Sequence, residues 1–215
     1  MSGRELDAAR AEAFGEKMLG VLNGAGLALM TSIGHRTGLF DVMAAMPPAG
    51  AEKIAGEAGL SPRYVREWLG AMVTGGIVEY DAARRSYALP AEHAAWLSRE
   101  ARPNNLATSA QWIAVLGGVE DEIVECFERG GGVPYAAFGR FHAVMAEESD
   151  QTVVAALEEG ILPIVPGLRA RLESGIDVLD VGCGAGRALN LLARRFPMSR
   201  FTGYDLSAEG VAAAK

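Results

Sequence analysis

The stretch VLDVGCGAGRALN, residues 178–190, constrains the fold more than any other part of the chain. An apolar run leads into glycines at 182, 184 and 186, and RALNLLARRF then continues with a helical pattern. IDVLDV reads as a short strand of the kind buried in a parallel sheet, so the glycines fall at a strand-to-helix junction. Without Cβ atoms such a loop lets a ligand approach the backbone closely, and free N–H groups at the helix start face it. SRFTGYDLS supplies a second strand ending in Asp205, nineteen residues beyond Gly186. An acid at that place can accept hydrogen bonds from both ribose hydroxyls of an adenosine.

Spacing separates the possible nucleotides. A dinucleotide fold wants Gly-x-Gly-x-x-Gly, and counted from Gly182 and Gly184 the third glycine falls at position 187, which is Arg187. The Gly-Lys-Ser or Gly-Lys-Thr of a mononucleotide P-loop does not occur.

Upstream the chain is helical. Phe14, Met18, Val21, Leu22, Ala25 and Leu29 recur at spacings of three and four, which predicts an amphipathic packing helix. TSIGHRTGLFDVMAAM continues that pattern to Pro47-Pro48. A short helix over AEKIAGEAGL is followed by Ser61-Pro62, an N-cap and a first-turn proline. The next helix sets Val65, Trp68, Leu69, Met72 and Val73 on one face and stops at Gly75-Gly76. IVEY and SYAL then read as two short strands around DAARR, and the whole suggests a winged helix-turn-helix. A DNA reader of this shape carries a basic footprint, yet in residues 51–90 five cationic side chains meet five acidic ones. Packing or dimerisation fits that balance better than DNA, which rewards net positive charge.

Residues 104–128 have a helical pattern interrupted at Gly117-Gly118, and RGGGVP is a loop or hinge. YAAFGRFHAVMAEES sets Phe138, Phe141, His142 and Met145 on one helical face, Ser149-Asp150 can cap QTVVAALEEG, and LPIVPGLRARLESG closes a helix at Gly175. His142 is the general-base candidate because imidazole exchanges protons near neutral pH, although pocket lining or packing suits the same position. Trp112, Phe138, Phe141 and Met145 suit the wall of an apolar small-ligand pocket, or simply core. The backbone of Cys183 lies where it can touch a ligand, but no base accompanies its thiol to make it a nucleophile. EDE and EES read as solvated faces or caps, and the three dispersed histidines make no metal site.

A net charge of −7, from 27 acids against 20 bases, gives no general attraction to nucleic acid or an anionic membrane. The two cysteines match no metal spacing and suit a reduced compartment. MSGRELDAARAEAFGEK mixes acids and bases where a signal peptide needs an apolar stretch, and no apolar segment approaches the roughly eighteen residues that span a bilayer. A cytoplasmic protein is expected.

Asp180, Gly182, Gly184 and Gly186 resemble motif I of class I S-adenosylmethionine-dependent methyltransferases, acid-x-Gly-x-Gly-x-Gly, and GYDLS is similar to their motif II. The resemblance implies that the three glycines pass under the methionine part of S-adenosylmethionine, that Asp180 meets its amino group directly or through water, and that Asp205 binds ribose. GLFDVM with the winged helix resembles the N-terminal dimerisation region of small-molecule methyltransferases, especially O-methyltransferases. FGRFHAVMAEES resembles the helix that bacterial two-domain members place before the cofactor domain.

The fold implied is a mostly α N-terminal winged-helix region followed by the first part of an α/β Rossmann-like methyltransferase fold. It divides into a dimerisation region over 1–103, a helical connector and substrate chamber over 104–174, and an incomplete cofactor segment over 175–215. A doubly wound sheet needs about five or six strands, whereas two are evident. SAEGVAAAK reads as a helix begun by a Ser207 cap, with no stop signal. The expectation is therefore the N-terminal part of a methyltransferase acting on a small molecule, O-methylation included. By itself this part would be weakly active or inactive, and a homodimer would cover its exposed edge. A winged-helix DNA-binding regulator and a non-catalytic dimerisation or cofactor-binding protein are the alternatives.

Overall fold

The computed structural model describes residues 6–215, so the first five residues of the charged N-terminal stretch lie outside the described residues. Two compact units divide after Leu89, upstream of the boundary at residue 103 read from sequence. The shift follows from α5 (Ala91–Leu97), a helix absent from the sequence reading, which packs with α6 (Leu106–Ser109) of the second unit.

In the first unit, α1 (Ala8–Arg36) starts at Asp7, whose carboxylate accepts from the Arg10 N–H. The helical pattern does not run unbroken to the paired prolines. Gly38 at φ 73° takes the left-handed conformation and separates α2 (Leu39–Ala44) from α1. After α3 (Ala51–Ala58), α4 (Pro62–Thr74) begins with Ser61 and Pro62 as expected, except that the Ser61 hydroxyl makes no capping bond. Gly76 at φ 71° follows its end. The wing is an antiparallel pair, β1 (Glu79–Asp81) with β2 (Ser86–Ala88), in which Tyr80 faces Tyr87 at a ring distance of 4.7 Å.

The core of this unit is Leu39, Phe40, Ile54, Val65, Trp68, Leu69, Met72 and Val78. Trp68 anchors it, with its indole N–H donating to the Met30 carbonyl at 2.8 Å and its ring edge-on to Phe40 at 5.2 Å. Gly34 makes that approach possible, because a Cβ there would stand 2.5 Å from Trp68 Cζ2. The packing role expected for the first half of α1 does not appear within the unit: Phe14, Met18, Val21 and Leu22 are exposed. The buried residues of α1 are Thr31, Ser32, Gly34 and His35, near its C-terminal end where α2 and α4 meet it.

The second unit continues through α7 (Gln111–Gly117) and α8 (Glu120–Arg129), broken at Gly117-Gly118 as expected and also at Ala110. A 3-10 turn at Tyr135–Ala137 precedes α9 (Phe141–Ser149). Phe138 therefore stands before the helix and does not share a helical face with Phe141, His142 and Met145. Ser149 and Asp150 cap nothing. Ser149 is itself helical, and the chain passes directly into π-helical turns at Asp150–Val154 and Leu157–Ile161, then a 3-10 turn at Leu162–Ile164. The helix ending at Gly175 is confined to α10 (Leu168–Ser174).

The β–α–β–α end of the unit is β3 (Asp177–Val181), α11 (Arg187–Arg195), β4 (Arg200–Tyr204) and α12 (Ala208–Ala214). The strands are parallel, with Asp177 opposite Arg200 and Val181 opposite Tyr204. Leu162, Leu172 and Phe196 form the core here, joined by Val178, Leu192 and Phe201. β3 is not the two-sided buried strand that its apolar run predicts: Val178 and Asp180 are half-buried while Leu179 and Val181 are exposed. Helices cover one face of the pair only. Among the described residues no helix is long and apolar enough to cross a membrane.

Candidate cofactor site

The loop between β3 and α11 holds three glycines in left-handed conformations, Gly182 at φ 87°, Gly184 at 51° and Gly186 at 63°. Side chains rarely adopt that geometry, so the alternate spacing is a backbone requirement. The three glycines nonetheless do different work. A Cβ at Gly182 or Gly184 would meet open space, whereas one at Gly186 would lie 2.8 Å from the Ala214 Cβ of α12. The first two form a bare surface a ligand can rest on, and the third is a packing contact.

The glycine and Cys183 amides of the loop itself, ahead of the helix start, are already paired. Gly182 and Cys183 donate to the Tyr204 carbonyl at 2.7 and 3.1 Å, Gly186 donates to the Cys183 carbonyl at 2.8 Å, and Gly184 donates to Asp205 Oδ2 at 2.7 Å. These donors hold the loop to β4 and to itself. What the loop offers outward at Gly182 and Gly184 is close approach.

Asp205 follows the last residue of β4. One carboxylate oxygen takes the Gly184 amide and the other takes the Ser207 amide at 2.7 Å. Those two backbone bonds, Ser207 first, hold its pKa below the ordinary aspartate value, and the charge of His142 adds to them against the opposing effect of burial. The anion thus knits the glycine loop to the β4–α12 turn, and each oxygen keeps a further lone pair for a ligand hydroxyl.

Cys183 tucks its thiol under β4, since a Cβ at Gly203 would lie 2.6 Å from the sulfur. Burial first, then the negative charges of Asp180 and Asp205, push the thiol up. It stays protonated at neutral pH and is no nucleophile. Asp180 itself is half-buried on β3, opposite Gly203.

The aromatic candidates cluster around α9. Phe141 meets Trp112 at 5.2 Å, Phe138 at 5.9 Å and His142 at 5.6 Å. Tyr135, which the sequence reading passed over, joins them at 5.1 Å from Phe141. Met145 is exposed and lies one turn further along α9. His142 Nε2 stands 3.3 Å from the Ser207 Oγ.

Glu147 and Glu148 are neither a solvated face nor a cap. Glu148 accepts from Ser109 Oγ at 2.6 Å and from the Trp112 indole at 2.8 Å, while Glu147 accepts from Gln111 at 2.8 Å and from Arg99 at 3.3 Å. Both carboxylates fasten α9 to the preceding helices. Sequence gave no sign of this, nor of Ser207 and Gly210 as site residues beyond the cap. A Cβ at Gly210 would come within 3.2 Å of the Gly184 carbonyl, so α12 rests directly on the glycine loop.

Residues 25–99 match the Rv2258c-like winged HTH domain, and residues 172–215 match a methyltransferase domain. No curated protein matches the sequence. Among solved structures, human N-acetylserotonin methyltransferase in complex with SAM is similar at 19% identity and a TM-score of 0.59, over 100% of this chain and 64% of that one. The mitomycin 7-O-methyltransferase MmcR is similar at 19% identity and 0.60, over 96% and 62%. CalO1, a methyltransferase in calicheamicin biosynthesis in SAH-bound form, is similar at 18% identity and 0.55, over 98% and 63%. At these identities the likeness concerns the fold, and the chain spans less than two thirds of the length of each. The chain thus carries a winged helix-turn-helix match followed by a methyltransferase-domain match, and the β–α–β–α within the second match shares the fold of these methyltransferases.

Proposed function

We propose that the whole protein transfers a methyl group from S-adenosylmethionine to a small-molecule acceptor, with oxygen as the methylated atom. The observation that carries this reading is the bare surface of Gly182 and Gly184 beside an acid at the end of the next strand. A Cβ would fill that cradle, and the residues present suit the cofactor. Gly182 and Gly184 would lie under the methionine part, with the Cys183 backbone beside it, and Gly186 supports the loop from behind. Asp180 would meet the cationic amino group directly or through water, and Asp205 would take the ribose hydroxyls with the lone pairs that its two amide contacts leave. When bound, S-adenosylmethionine supplies an electrophilic methyl group on a sulfonium.

The chain's own residues orient the partners. Trp112, Tyr135, Phe138, Phe141, His142 and Met145 wall the acceptor side. This assigns 104–174 to the substrate chamber and 175–215 to the cofactor. His142 is the general-base candidate from sequence, though its Nε2 faces a serine hydroxyl on the cofactor side. The 215-residue chain alone is expected to turn over weakly, because Gly182 of the loop and Tyr135 and Met145 of the aromatic wall are exposed to water where transfer needs a dry site. The exposed apolar stripe of α1 supports a homodimer.

Internal pairing also weighs against a DNA-binding role. Arg66 of α4 is bound to Glu52, and Arg84 of the wing to Asp81, so two of the five cations are already neutralised. Calorimetry of the 215-residue chain with S-adenosylmethionine, S-adenosylhomocysteine and NAD tests the reading. Binding of the first two without NAD is expected. Binding of NAD alone, or salt-dependent binding of duplex DNA with no cofactor binding, overturns it.

A further inference from the structure

We propose that His142 is a positioning residue of the cofactor site: from α9 it braces Ser207, and through Ser207 it fixes the turn that carries Asp205. Ser207 is the hub of that turn. Its amide donates to Asp205 Oδ1 at 2.7 Å, its Oγ accepts from the Gly210 amide at 3.0 Å, and the same Oγ lies 3.3 Å from His142 Nε2. A shift of Ser207 moves both things that press on the glycine loop, the Asp205 carboxylate at the Gly184 amide and Gly210 against the Gly184 carbonyl.

The other side of the contact is a fixed post. The His142 ring packs edge-on to Phe141 at 5.6 Å and 6.4 Å from Tyr135, while Glu147 and Glu148 anchor α9 to Gln111, Ser109 and Trp112. One side chain thus links the aromatic wall to the ribose end of the cofactor site, in the way that lets occupancy of one affect affinity at the other. With Nε2 committed to Ser207, the geometry gives His142 a holding role in place of proton transfer.

The inference rests on the S-adenosylmethionine reading, and titration of S-adenosylhomocysteine and adenosine by calorimetry separates the two. His142→Ala is expected to weaken both ligands about fivefold, the size of one lost hydrogen bond. The factor is the same for both because the contact lies at the ribose end. His142→Gln, whose amide reaches toward Ser207, should recover most of the loss at an unchanged melting temperature. Adding His142→Ala to Ser207→Ala should cost nothing beyond Ser207→Ala alone, since both remove one contact. Should His142→Ala not fold, His142→Asn, whose amide stops short of Ser207, takes its place with the same loss expected. Unaltered affinity in the Ala and Asn variants, or penalties that multiply in the double variant, overturns the inference while leaving the cofactor reading standing. Failure of the unsubstituted chain to bind either ligand overturns both.

Discussion

Asp205 shows how one carboxylate serves structure before it serves a ligand. Both oxygens accept backbone amides, from Gly184 and Ser207, so its ionised form is part of the loop's architecture. Its pKa is depressed in the fold, which means that its stabilising contribution is present above the unfolded value and is lost as pH falls through the folded one. The site should be insensitive to pH between about 5 and 8 on this account and loosen below about pH 4. Thermal melting of the unsubstituted chain and Asp205→Ala at several pH values checks this: the gap between them should shrink on acidification, and parallel curves would refute the role. Asp205→Asn is not a mild substitution, because its NH2 must face one of the two amide donors. It should weaken S-adenosylhomocysteine about tenfold by calorimetry, the order expected for losing a charge-assisted contact. Cys183 carries the opposite expectation. Its thiol is pushed up, so iodoacetamide at neutral pH should label it more slowly than free glutathione, as peptide mass mapping would show.

Among the elements, packing decides what a glycine is worth. Gly34→Ala gains helix propensity of up to about 1 kcal/mol, but the new methyl would stand 2.5 Å from the Trp68 ring in a filled core. Overpacking of that kind costs about 1–3 kcal/mol, so a net loss is expected. Gly70 on α4 has nothing within 4 Å of an added Cβ, and Gly70→Ala should stabilise by about 0.5–1 kcal/mol. Denaturant unfolding followed by tryptophan fluorescence measures both, and equal shifts in the two variants would mean that Trp68 does not sense the Gly34 position. The contrast also marks how far sequence carries. The winged helix and the strand–glycine–helix–strand–acid order follow from local pattern, because period and glycine spacing are local properties. The break at Gly38 is hidden, since the apolar pattern on either side continues in register. The roles of Glu147 and Glu148 are hidden more deeply: their partners Ser109, Gln111 and Trp112 lie on other helices 36 to 39 residues earlier. The same holds for His142 and Ser207, 65 residues apart.

At the scale of the whole molecule, the unresolved debt is exposed apolar surface. Phe14, Val21 and Leu22 are each more than half exposed, and Met18 is 39% exposed, all along α1. Burying a side chain of this kind fully is worth about 1.5–3 kcal/mol. Four per protomer offer apolar area to a contact between copies, set against the cost of association. The second open surface is the sheet face with Leu179, Val181 and Tyr204, and under the proposed homodimer either surface is a candidate for the contact. Charge substitutions distinguish them. If α1 forms the contact, Phe14→Glu with Val21→Glu should give a monomer in sedimentation velocity while Val181→Glu leaves the dimer intact. The double variant should keep its melting temperature at low concentration, since neither side chain belongs to the core of its own unit. Dissociation by Val181→Glu alone would move the interface to the sheet and leave the stripe on α1 without its assigned partner.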